Sequence, residues 1–202
     1  KIEKKNFNYP LLDDAFSNED IFKAIDVLFK KQLTMGEVTR RFEYEFAKYL
    51  NVNYAIMVNS GSSANLLASF ALVNPKKKNH LKRGDEFIIQ ALCWSTSLWP
   101  MIQAGLKPKF IDVTMDNFNI DIDLLKKNIS EKTKALMIVH ILGCSSNIKE
   151  ISNITKNHRM HLIEDTCESL GAKYRNKFLG TYGDFGTFSF YYSHQITSGE
   201  EE

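Results

Sequence analysis

At 202 residues, 44% of them hydrophobic and 25% charged, the chain is long enough for one globular domain with an ample core. Its net charge of +2 is too small to argue for nucleic acid or an anionic membrane surface as a partner. No stretch approaches the roughly 18 consecutive apolar residues of a membrane span.

The densest cationic run is Lys76, Lys77 and Lys78, followed by His80, Lys82 and Arg83, and it reads as a solvated loop. Cys93, Cys144 and Cys167 are far apart, odd in number and without metal-ligand spacing, so ordinary buried, reduced thiols are expected. The start, Lys1 to Lys5, is charged and lacks the apolar stretch of a secretory signal. A cytoplasmic location is the expectation by elimination.

In chain order, Ser17-Asn18-Glu19-Asp20 resembles a capping box opening a helix through about residue 30. A second amphipathic helix follows Gly36, with Phe42, Phe46, Tyr49 and Leu50 on one side. A strand is expected over 54–58, then a turn at Asn59-Ser60-Gly61-Ser62 and a helix through Leu72. Strand 86–90, helix 95–104, strand 108–113 and a short helix over 121–128 follow. Buried strands at 135–140 and 161–164 flank a helix at 148–157, and 183–191 supplies the last strand. This alternation predicts an α/β fold, a three-layer α/β/α sandwich with a mostly parallel sheet.

Four places could carry chemistry. Asn59-Ser60-Gly61-Ser62-Ser63-Ala64-Asn65 lies at a strand-to-helix junction, where N–H groups and the helix dipole favour a phosphate. A serine that merely caps the helix is the plainer alternative. Cys93-Trp94-Ser95-Thr96 follows a strand, and Trp94 could stack on a planar heteroaromatic ring or fill the core. Leu162-Ile163-Glu164-Asp165-Thr166-Cys167-Glu168 runs from an apolar strand into acidic residues at the sheet's carboxyl edge. There Asp165 could pair with a protonated ring nitrogen, or cap a helix. Finally, Ser189 precedes Phe190-Tyr191-Tyr192-Ser193-His194, whose imidazole can move protons near neutral pH.

Phosphate turn, stacking aromatic, acidic strand end and serine-plus-base loop occur in the order of fold-type I pyridoxal phosphate enzymes. Leu33-Thr34-Met35-Gly36-Glu37, Asn59 to Asn65, Glu164 to Ala172 and Gly186 to Glu200 together resemble the DegT-type sugar aminotransferases. Within that family the chain is similar to the 4-keto-6-deoxysugar 3-dehydratases, where histidine replaces the cofactor-binding lysine. That subgroup carries a Ser-His-His-like stretch; here Ser193-His194-Gln195 keeps the first histidine, which occupies the lysine position.

The resemblance implies the fold-type I large domain over residues 1–202, with a smaller C-terminal domain outside this sequence. It implies that Gly61, Ser62 and Ser189 hold the phosphate of pyridoxal 5'-phosphate or pyridoxamine 5'-phosphate, with help from the Ser63 backbone. Trp94 would stack on the pyridine ring, Asp165 would pair with its nitrogen, and Glu168 would lie near the ring hydroxyl. His194 would be the acid/base of a 3-dehydratase, with no metal in the site. The substrate would be a nucleotide-linked 4-keto-6-deoxyhexose such as GDP-4-keto-6-deoxymannose, with glutamate as amino donor. A homodimer feeding a lipopolysaccharide or other surface polysaccharide is implied as well. Three alternatives stay open: an iron–sulfur CDP-4-keto-6-deoxyglucose 3-dehydrase, a nucleotide-sugar aminotransferase, and a non-catalytic cofactor- or partner-binding module.

Overall fold

The computed structural model describes residues 15–31, 34–145 and 147–198. Leu33, the start at Lys1 to Lys5, and the loop end Gly199 to Glu202 lie outside the described residues. The chain divides into two compact units, one of residues 58–190 and one of 1–57 with 191–202.

In the smaller unit, α1 spans Asn18–Phe29 and α2 spans Glu37–Leu50. The expected capping box is formed: the Asp20 N–H donates to Ser17 Oγ and the Ser17 N–H to Asp20 Oδ2. On α2, Phe42 and Phe46 stack at 5.4 Å and Phe46 and Tyr49 at 6.4 Å, following helical spacing. Asn51 ends that helix in the left-handed conformation, φ 55°.

The strand expected over 54–58 is not formed. The Met57 N–H donates to Glu43 Oε1 on α2 at 2.9 Å instead of to a ladder, and Tyr54 and Ile56 stay exposed. The unbroken apolar run Tyr54-Ala55-Ile56-Met57-Val58 suits a strand, but it pairs with no strand among the described residues.

The larger unit carries a parallel sheet of β1 (Glu86–Gln90), β2 (Lys107–Ile111), β3 (Thr133–Val139), β4 (His161–Asp165) and β7 (Phe185–Thr187), in the order β2-β1-β3-β4-β7. Its helices are α3 (Gly61–Val73), α4 (Ser95–Gln103), α5 (Ile122–Asn128) and α6 (Ile148–Asn157). Because successive strand residues face opposite sides, two cores form. Phe87, Ile89, Ala135, Met137 and Ile163 pack with Ala68 and Leu72 of α3 and Met101 of α4. Ile88, Leu136, Ile138 and Leu162 pack with Leu125 of α5 and Ile148, Ile151 and Ile154 of α6. This is the expected α/β/α layering.

The last strand is shorter than the 183–191 expected. The Gly183 N–H is claimed by the Glu164 carboxylate, and beyond Thr187, whose carbonyl accepts from the Thr166 N–H, the ladder ends. A hairpin of β5 (Lys173–Tyr174) and β6 (Lys177–Phe178) went unforeseen. Its turn holds Arg175 at φ 56°, a conformation that side chain type does not advertise.

Candidate active site

The period of two along β4 splits its neighbouring carboxylates between faces. Glu164 is fully buried and clamps the loop before β7. Its Oε1 accepts N–H groups of Tyr182 (2.6 Å) and Gly183 (2.7 Å), and its Oε2 accepts those of Gly180 (2.9 Å) and His140 Nε2 (3.1 Å). That carboxylate is spent on structure. Asp165 turns instead toward α3 and α4. Asn65 Nδ2 and Ser97 Oγ both donate to its Oδ2, at 2.8 and 2.7 Å, and the Cys167 N–H donates to Oδ1 at 3.1 Å. Asp165 caps no helix, since turn rather than helix follows it.

Asp165 is only 4% exposed, yet among the described residues no Lys, Arg or His forms an ion pair with it. A buried carboxylate without a cation is costly, and its hydrogen bonds offset only part of that. The residue is therefore suited to a cation brought by a ligand, and a protonated pyridine nitrogen meets that need. Burial first, and then the negative charge of Asp165, push the Cys93 thiol above its usual range. Of the three cysteines none is fully buried, because Cys93 and Cys167 sit at partly covered turns and Cys144 is exposed on a loop.

At the start of α3, Ser60 is the N-cap, its Oγ accepting the Ser63 N–H at 3.1 Å. The Ser60 hydroxyl donates to Ser63 Oγ at 3.2 Å, so Ser63 keeps its own hydroxyl proton to give. Gly61 is pressed against the chain after β7 and the turn after β4. A Cβ there would stand 2.8 Å from Ser189 Cβ and 2.9 Å from Cys167 Sγ, so only glycine allows this approach. Gly61, Ser62 and Ser63 thus begin a 13-residue helix beside the buried Ser189, a cradle fit for a phosphate.

Trp94 is 68% exposed, which excludes the core reading and leaves its ring face available. Glu168 is half-buried in the turn three residues beyond Asp165. His194 lies in the smaller unit, half-buried. Its N–H donates to the Tyr191 carbonyl at 2.9 Å, and its ring meets the Tyr191 ring edge-on at 5.5 Å. Its Nδ1 is buried without a hydrogen-bond partner among the described residues. Between Tyr191 and Ser198 there is no lysine.

The structure thus joins Gly61 to Ser189 and surrounds Asp165 with Asn65, Ser97 and, through Asn65, Thr187. The last three were not foreseen as site residues. Asn65 ended the recognised turn, and its place one helical turn into α3 was the available signal.

A profile of the DegT/DnrJ/EryC1/StrS aminotransferase family matches residues 15–201. The chain belongs to this family. Among its DegT relatives, the GDP-4-keto-6-deoxy-D-mannose 3-dehydratase of Escherichia coli is 45% identical over 194 residues, covering 96% of this chain and 50% of that protein. The dTDP-4-dehydro-2,6-dideoxy-D-glucose 3-dehydratase of Saccharopolyspora spinosa is 41% identical, covering 92% and 40%. A crystal structure of GDP-4-keto-6-deoxymannose-3-dehydratase with a trapped PLP-glutamate geminal diamine is 44% identical, with TM-score 0.91, covering 96% and 50%. The chain spans about half the length of these GDP-4-keto-6-deoxymannose 3-dehydratase relatives. Among the described residues no helix is long and apolar enough to cross a membrane.

Proposed function

We propose that this chain is the large, cofactor-binding part of a 3-dehydratase that uses pyridoxal or pyridoxamine 5'-phosphate. Its substrate is a nucleotide-linked 4-keto-6-deoxyhexose, GDP-4-keto-6-deoxymannose first among them, and its product a 4-keto-3,6-dideoxysugar for surface polysaccharide. The observation that carries this reading is His194 in a lysine-free loop of a chain that keeps the buried, cation-less Asp165. Similarity to enzymes named as 3-dehydratases at 45% and 41% identity supports it.

Gly61, Ser62, Ser63 and Ser189 would hold the cofactor phosphate, Trp94 would cover the ring, Asp165 would meet its nitrogen, and Glu168 would lie near its hydroxyl. When bound in its amine form, the cofactor supplies a ring that absorbs the electron pair left by deprotonation of the adjacent carbon. His194 takes that proton, then gives one to the departing C3 hydroxyl. With Nδ1 buried, Nε2 is the nitrogen that carries it. An imidazole cannot compete for the cofactor's carbonyl as a lysine amine would. Glutamate would serve as the amino donor. The enzyme works in the cytoplasm as a homodimer.

Incubating the full-length protein with GDP-4-keto-6-deoxymannose, pyridoxal 5'-phosphate and glutamate tests this directly. Ammonia and a 3-deoxy sugar are the expected products. A 4-amino sugar would show transamination instead, and no conversion across GDP-, dTDP- and CDP-linked substrates would favour a binding module.

A further inference from the structure

We infer that Asn65 and Thr187 are positioning residues that, with Ser97, commit one oxygen of Asp165 to the protein and leave the other to meet a ligand's cationic N–H. Four elements converge on this carboxylate, with sequence separations of 100, 68 and 122 residues across the three side-chain bonds. Asp165 is the last residue of β4, and Thr187, its register partner on β7, stands beside it. Asn65 comes from α3 and Ser97 from α4. All four are buried, at 4%, 4%, 1% and 0% exposure respectively.

A carboxylate only accepts, so the end of the Asn65 amide that faces it is the NH2. That hands Asn65 Oδ1 to the Thr187 hydroxyl, which donates to it at 2.7 Å. Thr187 therefore fixes which way the amide points without touching Asp165 through its own hydroxyl. Oδ2 of Asp165 is then filled by two donors, Asn65 Nδ2 and Ser97 Oγ. Oδ1 has one, the Cys167 N–H at 3.1 Å, and keeps acceptor capacity. Locking the carboxylate's rotation in advance is what allows a single charge-assisted hydrogen bond to form without reorganisation.

This inference rests on the cofactor reading above, and the test separates the two. The full-length protein is titrated with pyridoxamine 5'-phosphate and with its 1-deaza analogue, in which a ring C–H replaces the nitrogen. Wild type, Asn65→Leu, Thr187→Val and Thr187→Ser are compared, with thermal melts run alongside. Asn65→Leu and Thr187→Val should weaken the nitrogen-bearing ligand by roughly tenfold or more, the scale of a lost charged hydrogen bond. The deaza analogue should change by less than about twofold, because it never made that bond. Thr187→Ser keeps the hydroxyl and should restore wild-type behaviour.

Equal weakening of both ligands, or of neither, would overturn the positioning role. Should Asn65→Leu fail to fold, the valine and serine variants decide alone. If wild type binds neither ligand, the cofactor reading falls and takes this inference with it. If it binds both equally, Asp165 is not reading the ring nitrogen and only the inference falls.

Discussion

A single side chain separates the proposed chemistry from that of a lysine-bearing relative. His194 offers an imidazole and no nucleophilic amine, so it can shuttle protons but cannot tether a carbonyl. His194→Asn keeps a polar group of similar reach but no titratable nitrogen. It should retain cofactor affinity, measured by fluorescence titration, while turnover falls by about 100-fold or more. Activity within a factor of two or so of wild type would remove the imidazole from the reaction. This residue was legible because its neighbours, Gly186 to Ser198, are distinctive in order and spacing. Asn65, Ser97 and Thr187 were not, since nothing local in their sequence records a bond to a residue 68 to 100 positions away, or to one another at 122.

Element by element, the sheet was read well where burial is two-sided. β1, β3 and β4 are continuous apolar runs flanked by turn residues, and their ends fell within two residues of expectation. The segment at 54–58 is also a continuous apolar run, yet its Met57 amide is satisfied by Glu43, a partner visible only once α2 is folded.

At its first residue β4 carries a second charge device. His161 Nδ1 lies 3.2 Å from Asp184 Oδ2, which also accepts the Leu162 N–H at 3.0 Å. The hydrogen bond to Asp184 raises the His161 pKa above its usual 6.5, against partial desolvation and the repulsion of Lys77. Burial alone would raise that of Asp184, but the bonds from His161 and Leu162 hold it below the usual 3.8. A raised histidine contributes stability that is complete below its unfolded value and lost as pH climbs through the folded one. A lowered aspartate contributes above its unfolded value and loses it as pH falls through the folded one. The pair is thus strongest between about pH 4 and 6.5. Asp184→Asn should cost more stability at pH 6 than at pH 8 in urea unfolding; a pH-independent cost would show that the ion pair contributes nothing.

For the molecule as a whole, topology places the chemistry. A parallel sheet delivers the ends of β1 and β4 to one edge, and with them Trp94 and Asp165, while α3 begins beside Ser189. The α/β/α architecture followed from the alternation of periods in the sequence. The division into 58–190 and the remainder did not, because it depends on contacts rather than on any linker. The central claim is that this DegT-family chain holds its cofactor without a covalent tether. Native mass spectrometry of the full-length protein, before and after borohydride reduction and denaturation, tests it most directly. Bound cofactor in the native spectrum that is wholly lost on denaturation is the predicted result. A mass increment surviving on a lysine, or a native spectrum with no cofactor at all, would contradict it.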